Sequence, residues 1–145
     1  MAMNSGVLAG LAQSFGSMFE VTVDKSANLL KVSYAGKVGA EEARECKERI
    51  LSLLNELHNG FRMLTDLRAL AAMDLACAPF IEQVMDACDD AGIRMVVRII
   101  PDPHKDIGLN IMSLFHYRRG VRIVTCKTLE EAQSALERSL PKAAP

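Results

Sequence analysis

Histidines, cysteines and carboxylates are the residues with which this sequence could do chemistry, and their spacing limits what that chemistry is. The histidines are His58, His104 and His116, none at ligand spacing from a cysteine, and Cys46, Cys77, Cys88 and Cys126 lie 31, 11 and 38 residues apart with no Cys-x-x-Cys pair. Buried free thiols in a reducing compartment follow, hence a cytoplasmic protein with no metal and no cofactor. His-Glu-x-x-His, Gly-x-Ser-x-Gly, Gly-x-Gly-x-x-Gly and a phosphate-binding Gly-rich loop are all missing from the sequence. No nucleophile, base and charge-stabilising group are visibly assembled, so no catalytic residue is expected. His58 and His116 read as residues of last helical turns, where the helix dipole favours a cation.

Two aspartates stand out. Asp66 follows the centre of an apolar run and Asp74 lies in the connection to the next helix, which would bring both to the carboxyl end of a sheet. Their ordinary roles are hydrogen bonding to the backbone or to Arg68 for Asp66, and ordering of a turn for Asp74. A second candidate is the proline-bounded loop at 99–108, where Asp102, His104, Lys105 and Asp106 precede a helix whose first amides attract anions. With Asp66, these form a candidate ligand site for a small anion, a metabolite or a lipid, with enzymatic activity as part of that alternative. Thr65 reads as a strand former and Ser113 as a helix residue, neither in the context of a modification site.

The chain has 145 residues, half of them hydrophobic, enough to bury one core without metal or disulfides. Its net charge of -1 gives no general attraction to nucleic acid or membrane. Charge is segregated nonetheless: residues 64–92 hold six acidic side chains and one basic, residues 94–127 seven basic and two acidic. Without tryptophan, and with aromatics at 5%, base-stacking platforms are poor; Phe115, Tyr117, Arg118, Arg119 and Arg122 make only a weak basic patch. Nucleic acid is therefore disfavoured as a partner. Residues 1–19 contain no lysine or arginine and no long apolar span, so neither a signal sequence nor membrane insertion is expected.

The elements that must position these groups follow from periodicity. Alternation at 19–24, a turn at 25–28 and a second run at 29–34 ended by Gly36 predict an antiparallel hairpin. Ala43, Cys46, Ile50, Leu53, Leu54 and Leu57 recur at three and four and predict a helix over 39–59, with Glu45 and Arg49 as an ion pair. A strand at 62–67, a helix at 79–91, a strand at 94–100, a helix at 106–117 and a strand at 121–125 follow. The last helix starts near Thr128, where Thr128 and Glu131 make a capping-box sequence, and runs toward Pro141. The order β-β-α-β-α-β-α-β-α predicts an α/β fold with a mixed five-stranded sheet covered by helices. One domain is expected at 19–141, with a weakly ordered arm at 1–18 and a tail at 142–145.

This order, and the stretch LTDLRALAAMDLACAPFIEQV at 64–84, resemble the STAS family, the sulfate-transporter and anti-sigma-factor-antagonist domain. In that family an apolar strand leads through an aspartate to a phosphorylatable serine and then to a helix that docks on a kinase-like anti-sigma factor. Here 64–67 resemble the strand, Met73 and Asp74 the lead-in, and the serine place is Leu75, which has no hydroxyl to accept phosphate. The resemblance implies a non-enzymatic regulatory or scaffolding domain that recognises a protein partner through Asp74, Leu75, Ala78, Glu82 and Asp86, with a homodimer as a further expectation. It also implies a branch that keeps the fold and has lost this phosphoswitch.

Overall fold

A computed structural model of the chain describes residues 18–100 and 121–139. Phe19–Asp24 (β1) and Leu29–Val38 (β2) form the antiparallel hairpin. Its turn closes because Asn28 takes a left-handed conformation (φ 52°) and donates its N–H to the Lys25 carbonyl, while the Asp24 carboxylate accepts from Ser26 Oγ and the Ala27 amide. The chain continues through Ala40–Leu53 (α1), a 3-10 turn at Leu54–Glu56, Arg62–Met73 (β3), a second 3-10 turn at Leu75–Cys77, Ala78–Asp90 (α2), Met95–Ile99 (β4), Arg122–Cys126 (β5) and Leu129–Arg138 (α3). The sheet runs β1-β2-β3-β4-β5, antiparallel at its first pair and parallel at the other three. This is the expected mixed five-stranded α/β architecture.

Alternation along the strands divides the core between two faces. On one face Leu30, Val32, Leu67 and Leu70 pack under α1 and α2, which contribute Ala43, Cys46, Ile50, Ile81, Val84, Met85 and Cys88. On the other, Leu64, Met95, Val97 and Ile99 pack under Ala132, Ala135 and Leu136 of α3. Thr128 Oγ1 caps α3 by accepting the Glu131 amide at 3.1 Å, and the Glu131 carboxylate returns to the Lys127 amide at 2.7 Å.

Several boundaries differ from the sequence expectation. The third strand does not stop at Leu67 but runs to Met73, and the second continues through Gly36 to Val38. Opposite Ser33–Ala35 and again opposite Gly36–Lys37 the register slips by one residue, so β3 carries two bulges. Inward-facing residues after Leu67 are therefore Leu70 and Met73, three apart, a spacing that mimics a helix or loop when read linearly. Gly36 supplies the positive φ (65°) that the bulged ribbon needs. The first helix ends at Leu53 and not Asn59. Leu53, Leu54 and Leu57 still pack partly buried against the core, but His58 lies beyond the 3-10 turn. Its backbone N–H and carbonyl are both bonded to the Asn28 side chain, and no helix terminus accounts for it. The ion pairs on α1 run from Arg44 to Glu41 and Glu48, in place of a Glu45–Arg49 pair. The helix expected at 106–117, the basic residues 118 and 119, and the tail lie outside the described residues, as does the arm apart from Met18.

Candidate functional site

β2 and the bulged strand β3 carry the candidate site. β1 pairs with β2 only as far as Tyr34, and β4 ends where Ile99 pairs with Asp66. Beyond those points β2 and β3 continue as a two-stranded ribbon, Ala35 to Val38 beside Ala69 to Met73, extending past their strand neighbours among the described residues. At its tip the Asp74 amide donates to the Val38 carbonyl at 3.0 Å. Asp74 then turns the chain: its Oδ1 accepts the Ala76 amide at 2.9 Å and its carbonyl accepts the Cys77 amide at 3.0 Å.

These bonds fix where Leu75 points. Met73 before it and Cys77 after it are both buried, and the Cys77 thiol sits 3.5 Å from the Val38 carbonyl. With its neighbours anchored inward, Leu75 stands outward and is 69% exposed, against 40% and 38% for Leu51 and Ile123. Ala76 beside it and Pro79 in the first turn of α2 are exposed too. Pro79 lies in the first turn of α2, where a missing N–H costs no helical bond.

Of the expected partner-contacting residues, Asp74, Leu75, Glu82 and Asp86 are exposed and Ala78 is half-buried. Ala78, Glu82 and Asp86 recur every four residues and form one stripe along α2. Next to Asp74 lies an open cleft of about 430 Å³ lined by Lys37, Val38, Gly39, Glu42, Ala72, Met73 and Asp74. Glu42 is committed there, its carboxylate accepting the Gly39 amide at 2.7 Å to cap α1. Sequence reading missed Lys37 and Glu42 because only the parallel pairing of β2 with β3 brings them beside Asp74.

Asp66 and Asp74 do not form a carboxylate pair. Asp66 lies within β3 and Asp74 follows its end, and eight steps along a bulged strand place them on the order of 20 Å apart. Both Asp66 oxygens face Arg68: Oδ1 accepts the Arg68 amide at 3.0 Å and Nε at 2.9 Å, and Oδ2 accepts NH2 at 2.7 Å. The Arg68 side chain beside it holds the Asp66 carboxyl below the usual carboxylate range. The pair closes the first bulge of β3, and Asp66 is thereby occupied structurally. Asp102, His104, Lys105 and Asp106, the rest of the expected loop site, lie outside the described residues.

All four cysteines are free and buried. Burial pushes the Cys46 thiol up to about 11 and Cys88 to about 12, the reverse of what a reactive thiolate needs. Among the described residues no group of three or more histidine, cysteine or acidic side chains converges to hold a metal, and no helix is long and apolar enough to cross a membrane.

Solved structures share this architecture. The anti-sigma factor antagonist SpoIIAA in its unphosphorylated form superposes with a TM-score of 0.59 at 11% identity, over 84% of this chain and 99% of that one. An uncharacterized DUF3478-family protein from Shewanella loihica PV-4, with a SpoIIAA-like fold, gives 0.61 at 14% identity over 81% and 93%. An anti-sigma factor antagonist from Mycobacterium paratuberculosis gives 0.53 at 15% identity over 82% and 94%. The fold is STAS-like. No protein-family model and no curated protein matches the sequence. At such identities the STAS-like frame is shared while side chains are free to differ, so the site must be read from this chain's own residues.

Proposed function

We propose that this STAS-like domain is a cytoplasmic regulatory or scaffolding module that works by protein-protein recognition, without a serine phosphoswitch at its strand-to-helix turn. One observation carries the reading: Leu75, the most exposed large apolar side chain on the described surface, is held outward at the tip of the β2–β3 ribbon by the bonds of Asp74. A leucine this exposed buries little of its surface in the fold, and covering it by a partner is favourable by about 1–2 kcal/mol. In this position Leu75 is an apolar contact with no oxygen to phosphorylate. Recognition is therefore set by surface shape and charge, and any regulation acts elsewhere.

The test is affinity capture with the full chain and with Leu75→Ser, Asp74→Ala and Glu82→Lys, each verified as folded by circular dichroism. Loss of the same partner from all three supports the surface, and unchanged capture rejects it. Mass spectrometry of the chain purified from its own cells should find no phosphate on residues 74–78.

A further inference from the structure

The charges around Leu75 specify the chemistry of what covers it. α2 carries Glu82, Asp86, Asp89 and Asp90 and no lysine or arginine; Asp89 is buried, whereas the other three are exposed. Asp74 adds a fourth exposed carboxylate beside the leucine. Glu82 and Asp86 follow Ala78 by four and eight residues, about 6 and 12 Å along the helix axis, so the acidic stripe begins at the turn and leads away from it.

Basic groups nearby are mostly engaged. Arg44 is paired with Glu41 and Glu48, and the Lys47 ammonium lies 5.5 Å from the centroid of the Phe80 ring. Lys37 shares its cleft with Glu42 and Asp74. Among the described residues, the charges next to this one strongly exposed large apolar side chain are predominantly negative. Such a surface repels anionic lipid headgroups, nucleic acid and acidic proteins, and it accelerates encounter with a basic one.

We propose that the partner is a protein presenting an apolar pocket for Leu75 inside a collar of lysine and arginine that faces Asp74, Glu82 and Asp86. This rests on the docking reading above and adds the partner's chemistry to it. Leu75 supplies the desolvated centre, where binding energy concentrates, and the exposed carboxylates form a rim that governs approach and partner choice.

The experiment pans a random phage-displayed library of peptides of about twelve residues on the immobilised full chain, then measures synthetic copies of enriched peptides by fluorescence anisotropy. Expected are peptides joining a large apolar residue to two or more lysines or arginines, with affinity at least about tenfold lower for Leu75→Ser and about fivefold lower for Glu82→Lys. Their affinity should also fall as salt rises from about 50 to about 300 mM. Peptides lost on Leu75→Ser but lacking basic residues overturn the collar and leave the docking surface standing. Enriched peptides indifferent to Leu75→Ser, or no enrichment at all, overturn both.

Discussion

Asp74 Oδ1 accepts the Ala76 amide at 2.9 Å, bridging over Leu75 and fixing the one strongly exposed leucine of the described chain. An aspartate that closes a turn ahead of a helix in this way satisfies an amide that would otherwise have only water.

Asp74→Ala should therefore cost about 1 kcal/mol of unfolding free energy, and Asp74→Asn, which keeps an acceptor, clearly less. Urea unfolding of the full chain checks this. Equal losses for the two variants would mean that the carboxylate's charge, and not its capping bond, is what the turn uses.

Most of the fold was legible because the two periodicities are clean. Val21, Leu30 and Val32 alternate, Ala43, Cys46 and Ile50 recur at helical spacing, and Thr128 with Glu131 marks a helix start. β3 was cut short for a physical reason: bulges replace the two-residue repeat after Leu67 by a three-residue one through Leu70 and Met73. The separate structural roles expected for Asp66, bonded to Arg68, and Asp74, ordering its turn, are the ones the hydrogen bonds show. Leu75 and the acidic stripe could be located from sequence because they are local to one turn and one helix. Lys37 and Glu42 could not, since pairing between strands separated by α1 decides their position.

A second prediction concerns Arg62, only 4% exposed at the start of β3. Its guanidinium donates to the Leu136 carbonyl at 2.8 Å, Ser139 Oγ at 3.3 Å and the Ala27 carbonyl at 2.7 Å, tying the end of α3 to the sheet and the hairpin turn. Arg94 assists by donating to the Ser139 carbonyl at 2.8 Å. Burial and the neighbouring Arg94 both lower the Arg62 pKa, the expected sign for a cation withdrawn from water near a like charge. Arg62→Ala strands several acceptors and should destabilise by about 2–4 kcal/mol. Hydrogen exchange should quicken first in α3, while binding at Leu75, at the far end of β3, is unchanged in the folded fraction. Uniform quickening across the sheet would contradict this.

The Asp66–Arg68 pair predicts a pH dependence. The Asp66 carboxyl titrates below its unfolded value of about 3.9, so its stabilising contribution is present above that pH and lost as pH falls toward the folded value. Both side chains are partly exposed, which keeps the effect small and salt-sensitive. The urea midpoints of wild type and Arg68→Gln should differ near neutrality and converge as pH drops from about 5 to about 2. A difference constant over that range would assign the loss to packing of the arginine stem.

The buried thiols give the last prediction and link it to the docking turn. Thiols raised to about 11 at Cys46 and about 12 at Cys88 stay protonated in the fold, whereas unfolded cysteine ionises near 8.5. Their contribution to stability is thus complete below pH about 8.5 and is lost as pH rises through the folded values. A disulfide reagent at pH about 8 should label the native chain slowly and all four cysteines at once after unfolding in denaturant. Cys77 should react before Cys46 and Cys88 in the folded protein, because it lies under the short turn that Asp74 closes, whereas those two lie in helices packed on the sheet. Asp74→Ala should speed labelling of Cys77 selectively, since it removes both the bond that closes the turn and a nearby carboxylate that, after burial, raises the Cys77 pKa. Asp74→Asn, which removes the charge and keeps an acceptor for the Ala76 amide, should speed it less. Equal acceleration at all four cysteines would instead report global unfolding, and would remove the reason for regarding the Leu75 turn as a locally held projection.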